Sequence, residues 1–251
     1  MENLKDLNDR ENERMIKFSP FEKIDFKNVS KSICKIKIEE ITQGGISISY
    51  GTGFLLKFFI EQERFYCLIT NEHVITNDII KSQNDIFVSY DCEFKNINIK
   101  LDPQKRYIRS FIDIGLDISV VEILDEDNIS KDYFLKTERE ENIINKLVNR
   151  NIYIPQYTKG EDLVSARGPI IKLNKYEFTH KASTQPGSSG SPIFFEKSIH
   201  VIGIHKAGSR KVEENYGDCI YPIFNIIKND VIEKRYNGRY LDGKYIWDDG
   251  K

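Results

Sequence analysis

The sequence predicts an all-β chain in two halves closed by a C-terminal helix, and three observations predict it. Short runs of alternating apolar and polar residues recur from about residue 33 onward, with the two-residue period of half-buried strands. Turn formers such as Gly44-Gly45, Pro103 and the acidic run 125–128 separate these runs. Helical spacing of apolar residues is confined to two places, residues 137–150 and 224–231.

In chain order, residues 1–28 are polar and poorly patterned and read as a flexible or helical N-terminal extension. A first β unit covers 29–135. It begins where Cys34, Ile36 and Ile38 alternate with Lys35 and Lys37, turns at Gly44-Gly45, and continues through strands at 46–60 and 64–70. Ile97, Ile99 and Leu101 alternate next, and a strand opened by Asp117 closes this unit. Residues 136–150 form a connecting helical segment, with Ile143, Ile144, Leu147 and Val148 on one side. Strands resume at Asn151-Ile152-Tyr153-Ile154 and open a second unit, 151–236. It ends in a helix carrying Phe224, Ile227 and Val231, which stops near Asn237-Gly238. The tail, 237–251, is expected to pack loosely or to mediate contacts.

The composition narrows the function. The chain has 251 residues, 39% hydrophobic and 30% charged, enough apolar mass for two small cores under a charged surface. A net charge of −2 with lysines and acids interleaved argues against nucleic acid and against anionic membrane as partners. The N-terminal residues lack an apolar signal core, and no stretch approaches the ~20 apolar residues of a membrane helix.

The most informative segment is Gln185-Pro186-Gly187-Ser188-Ser189-Gly190-Ser191-Pro192, followed by the apolar run Ile193, Phe194, Phe195. A serine between glycines in a tight turn exposes its hydroxyl and can aim backbone N–H groups at one point, where charge develops on a carbonyl under attack. Such a serine needs a base, and the base needs an orienting acid. Among the four histidines His73, His180, His200 and His205, His73 follows a short apolar strand ending at Thr70. Asp117 precedes the apolar run Ile118-Ser119-Val120-Val121, and Asp113 is its rival.

Thr70-Asn71-Glu72-His73, Asp117-Ile118-Ser119-Val120 and Gly187-Ser188-Ser189-Gly190-Ser191-Pro192, in this order, resemble the three motifs of the chymotrypsin-like serine peptidases. Gly51-Thr52-Gly53-Phe54 is similar to the strand that precedes the histidine in that family. The resemblance covers roughly 30–235. It implies an all-β fold of two six-stranded antiparallel β-barrels with a C-terminal helix, 29–135 forming the first barrel and 151–236 the second barrel with the helix. It implies Ser189 as nucleophile, His73 as general base and Asp117 as its orienting acid. The oxyanion hole would be formed by the Gly187 and Ser189 N–H groups. Ser188 and Ser191 do not occupy the central motif position.

The resemblance is closest to the glutamyl endopeptidases. Ser191 stands where those enzymes carry serine, and Thr184 and Ile202-Gly203-Ile204-His205 match their threonine and Gly-Ile-His strand. It implies a pocket in which Thr184 and His205 donate to a Glu or Gln side chain, with Lys206, Ala207 and Gly208 pairing to the substrate backbone. Ser183 stands where trypsin-type enzymes carry aspartate, so Arg or Lys specificity is not expected. His180 and His200 read as ordinary polar strand residues.

Ser188 replaces the aspartate that orders trypsin-type zymogens, so that activation is not expected. The site is preformed, or ordered by substrate or by an activating partner. The cysteines Cys34, Cys67, Cys92 and Cys219 lack zinc-site spacing, and Val74 stands where secreted animal members place a disulfide cysteine. Free thiols and a reducing, cytoplasmic setting are expected, with a polypeptide substrate and with no cofactor or metal. A silent double barrel that binds peptides or protein partners, and an esterase, are the competing readings.

Overall fold

The computed structural model describes residues 29–42, 45–137, 147–196, 198–208, 214–241 and 244–247. The expected extension 1–28, most of the expected connecting helix and Gly44 of the expected turn lie outside the described residues.

In the first half, β1 (Ile33–Thr42) and β2 (Gly45–Ile60) form an antiparallel pair from Thr42↔Gly45 to Ile33↔Phe54. The inner part of β2 then pairs with β3 (Glu63–Thr70). A six-residue helix, α1 (Asn77–Ser82), follows, its first turn capped by the Thr76 hydroxyl accepting the Ile79 N–H. Strands β4 (Asp85–Tyr90), β5 (Lys95–Lys100), β6 (Ile108–Ser110) and β7 (Ser119–Glu122) complete the order β5-β4-β1-β2-β3-β7-β6. Each strand sends an apolar residue into one core: Ile36, Phe54, Leu68, Val88, Ile99, Ile108 and Val120. Among the described residues no ladder joins β5 to β6. The half expected as a closed six-stranded barrel is a seven-stranded antiparallel sheet around its core.

The second half closes. β9 (Asn151–Tyr157), β10 (Leu163–Asn174) and β11 (Glu177–His180) run in order; β12 (Pro192–Phe195), β13 (His200–Gly208) and β14 (Asn215–Cys219) follow in sequence. Pairings β9-β10-β11-β14-β13-β12 return to β9, so every edge is paired. Its core takes Ile154, Ala166, Phe178, Ile193, Ile202 and Cys219, again one per strand.

A short strand and the closing helix tie the halves together. β8 (Leu135–Thr137) lies parallel to both β2 and β13 and makes the two sheets continuous. The closing helix α2 (Tyr221–Asn237) was expected within the second unit, yet it packs on the first half's core. Ile223, Ile227 and Val231, four apart, lie on one side of α2 and enter that core. The Phe224 ring meets Phe58 at 4.8 Å, and Asp230 accepts from Tyr107 and Arg109. α2 ends at Asn237, as the sequence predicts. In the tail, the backbone forms a hairpin of β15 (Gly238–Leu241) and β16 (Lys244–Trp247). No described helix is long and apolar enough to cross a membrane.

Candidate active site

His73 lies on the turn after β3, where Thr70 stops the ladder and donates to the Thr52 carbonyl (2.7 Å). Its Nδ1 is 2.6 Å from Asp117 Oδ2, and its backbone N–H donates to Asp117 Oδ1 at 3.0 Å. The carboxylate therefore fixes both ring and backbone. The His73 side chain is 46% exposed and that of Asp117 10%, so the imidazole reaches solvent while its acid does not. Burial pushes the Asp117 carboxyl up, but the hydrogen bonds and charge of His73, with the nearby Lys206 charge, hold it below the ordinary carboxylate range. Asp113 is excluded as the partner of His73, because it pairs with Arg109 at 3.1 Å. Asp117 stands two residues before β7 rather than at its first position. Its backbone is held by side chains instead: Asn71 donates to its carbonyl (2.6 Å), and its N–H donates to Asp218 Oδ2 (2.9 Å).

The serine turn precedes β12 and is closed by its own small side chains. Buried Ser188 accepts the Gln185 N–H (3.1 Å), and buried Ser191 donates to the Ser188 carbonyl (2.6 Å). Both hydroxyls are thus used inside the turn, and Ser189 alone of the three is partly exposed. Gly187 and Gly190 have φ of +93° and +89°, and a Cβ at Gly190 would fall 1.9 Å from the Thr52 carbonyl oxygen. Neither the Gly187 nor the Ser189 N–H donates within the described residues. The two expected oxyanion donors are therefore free. The Ser189 hydroxyl donates to the Lys206 carbonyl (3.3 Å) and makes no hydrogen bond to His73.

Of the expected pocket residues, His205, Lys206, Ala207 and Gly208 lie on β13, and Thr184 precedes the serine turn. Thr184 is half-buried, and a Cβ built on Gly208 would come 3.9 Å from its hydroxyl. His205 is buried on the same strand, its Nδ1 3.4 Å from Nε2 of His180 on β11. The rings meet edge to face at 5.4 Å, and Phe178 lies beside His180. Burial pushes His180 down to about 3 and holds His205 well below the usual histidine range, the latter helped by its two histidine neighbours. Both rings are neutral at physiological pH. His180, expected as an ordinary strand residue, lies on β11 and is fully buried against His205, a contact that spans 25 residues. His200 is half-buried at the start of β13. On the serine side, among the described residues, β12 pairs with β13 only as far as Ile204; Ala207 and Gly208 pair with β14 on the other side, and the Lys206 carbonyl receives the Ser189 hydroxyl. Ser183 is half-buried, and its carbonyl accepts from Gln156 (3.0 Å).

Two further residues hold the site through contacts that the sequence does not show. Thr52 on β2 stitches the halves: its N–H donates to the Ser189 carbonyl (2.8 Å), its hydroxyl donates to the Gly187 carbonyl (2.7 Å) and accepts the Tyr157 N–H (3.0 Å). Asp218 on β14 is fully buried beside Asp117 and lies 3.7 Å from Lys206 Nζ, which also bonds Glu177 at 2.9 Å. Burial pushes the Asp218 carboxyl up to about 6, against the Asp117 N–H and the Lys206 charge.

The trypsin-like peptidase domain model matches residues 51–204, more than half of the chain and the stretch that holds His73, Asp117 and Ser189. The chain belongs to the trypsin-like peptidase family. Family membership indicates a peptidase, a hydrolase acting on polypeptide, with the chymotrypsin-like fold. No curated protein matches the chain. Among solved structures, it is similar to the active form of the Rv3671c protease of M. tuberculosis, at 15% identity and TM-score 0.56, over 80% of this chain and 81% of that one. It is similar also to a serine endoprotease from Yersinia pestis, at 12% identity and TM-score 0.61, over 89% and 71%. The HtrA-type protease AlgW with tripeptide aligns at 14% identity and TM-score 0.58, over 86% of this chain and 64% of that one, so this chain spans just under two thirds of it. At these identities the likeness is one of fold.

Proposed function

We propose that this peptidase is a serine endopeptidase that works through His73, Asp117 and Ser189, and that it cuts after Glu or Gln. The observation that carries the proposal is the solvent-reaching imidazole of His73 held at 2.6 Å by a buried carboxylate, in a chain whose serine turn leaves two N–H groups free. Ser189 Oγ attacks the substrate carbonyl carbon, and its proton passes to the free nitrogen of His73. Asp117 stabilises the imidazolium, and the Gly187 and Ser189 N–H groups hold the oxyanion. The amine leaves with the proton from His73, and water, deprotonated by His73, then cleaves the acyl-enzyme. The substrate backbone adds as a strand along the side of Lys206-Ala207-Gly208 that faces away from β14, where β12 makes no ladder among the described residues.

The pocket is formed by Thr184 and His205, and of the two side chains it favours Gln. A neutral imidazole supplies an N–H donor without the charge that would balance a glutamate. Three buried cysteines and one exposed, all unpaired, support a reducing, cytoplasmic setting.

One observation favours a second reading, a silent double barrel that binds peptides: the Ser189 hydroxyl donates to Lys206 and not to His73. Cleavage of a proteome-derived peptide library by the wild type beside Ser189→Ala separates the readings. Serine-dependent cuts after Gln, with Glu second, are expected. Cuts after unrelated residues would overturn the pocket assignment. Absence of both cleavage and phosphonofluoridate labelling at Ser189 would leave the binding module.

A further inference from the structure

Asp218 occupies a position that the three reacting groups do not explain. It is a fully buried carboxylate in a six-stranded barrel, contributed by the half that does not carry Asp117. One oxygen accepts the Asp117 backbone N–H at 2.9 Å, across 101 residues. The other has no hydrogen bond within the described residues and faces Lys206 Nζ at 3.7 Å. A buried, underbonded carboxylate next to a second carboxylate opposes stability. Its location points to why it is there. Asp117 lies in a loop outside any ladder, and side chains hold its backbone, Asn71 from one side and Asp218 from the other. Lys206, the other neighbour of Asp218, is the residue whose carbonyl receives the Ser189 hydroxyl. One carboxylate thus touches the residue that orients His73 and the residue that seats Ser189.

We propose that Asp218 is a positioning residue that sets Asp117 against His73 from the opposite half of the molecule. The proposal rests on the assignment of Asp117 as the acid of the site. Asp218 does not touch substrate or reacting atoms. It accepts the Asp117 N–H, keeps the carboxylate in register with the imidazole, and through Lys206 ties that register to the strand beneath Ser189. Removing the acceptor frees the Asp117 loop, and misplacement of an orienting group by about 1 Å can lower the rate on the order of 100-fold.

The test uses the full chain and two readouts. The first is kcat and KM on a peptide that the wild type cuts. The second is the low-field proton resonance of the short His73–Asp117 hydrogen bond, assigned by its loss in His73→Ala. Asp218→Ala removes the acceptor, Asp218→Leu removes it while filling the space, and Asp218→Asn keeps an acceptor oxygen. We expect kcat to fall on the order of 10- to 100-fold in the Ala or Leu variant, with KM within about twofold. We expect the resonance to broaden or vanish there, and both readouts to recover in Asp218→Asn. A wild-type resonance and kcat in either acceptor-free variant overturns the proposal, as does an Asn variant as impaired as the other two. Should Asp218→Ala not fold, Asp218→Leu decides. The resonance is present or absent whether or not Ser189 turns over peptide, so failure of the peptidase reading and failure of this one are told apart.

Discussion

His73 and His205 are one side chain in two opposite settings. His73 lies on an exposed turn of the first half with a carboxylate on Nδ1, which fixes the ring and leaves its other nitrogen free. His205 is buried in the second half with another imidazole on Nδ1, and its burial favours the neutral ring. The first arrangement suits a group that must gain and lose a proton. The second suits a group that must donate a hydrogen bond without changing charge. Neighbours, rather than residue type, divide the roles.

Removing the first arrangement has the largest expected effect. His73→Ala should lower kcat by about 10⁴-fold or more with KM changed a few-fold at most, measured in steady state on a Gln peptide. A loss under tenfold would mean that proton transfer does not run through this ring. The second arrangement is tested by His180→Leu. Without His180, the Nδ1 of His205 loses its partner and the pocket donor its fixed tautomer. kcat/KM on Gln peptides should drop by about 10- to 100-fold, while labelling of Ser189 by a small phosphonofluoridate stays near wild type. Equal loss in both assays would break the division between the two histidines. The wild-type preference for Gln over Glu should also hold steady between about pH 6.5 and 8, because burial holds both histidines below the usual histidine range.

The seam between the halves comes next. Thr52→Val keeps the shape of the side chain but strands the Gly187 carbonyl and the Tyr157 N–H, and should cost about 1–3 kcal/mol in urea unfolding. A cost near zero would mean that water replaces the hydroxyl. The smallest effects are pH-linked and have opposite signs. The buried histidines bind protons less readily when folded, so their contribution is complete above about pH 6.5 and is lost as pH falls, for His180 toward about 3. Asp218 binds its proton more readily when folded, up to about 6, so its ionised form disfavours the fold above that pH. Asp218→Asn should therefore raise Tm by about 2–4 °C at pH 7. That gain should disappear below about pH 4, as differential scanning calorimetry across pH would show.

Much of the first half's strand plan was legible. Lys35 and Lys37 alternate with Ile36 and Ile38, a period that only a half-buried strand satisfies, and β1 lies there. The serine turn was legible because its constraint is local: two glycines in positive φ followed by a buried apolar strand. The missing ladder between β5 and β6 was not legible, nor was the docking of α2 on the first half. Apolar periodicity marks a face without naming what covers it. His180, Thr52 and Asp218 escaped for the same reason, since their decisive contacts span 25, 135 and 101 residues.

By itself, the sequence determined the β character of the chain, the serine turn and the order of the segments that carry His73, Asp117 and Ser189. These depend on local backbone preference and on the spacing of apolar residues along one strand. Only the tertiary structure decided between Asp113 and Asp117, removed Ser188 and Ser191 as free hydroxyls, and made one histidine a paired, open ring and another a sealed, neutral one. Those choices depend on hydrogen-bond partners and on the loss of water around a charge, and both are set by segments that meet only when the chain has folded.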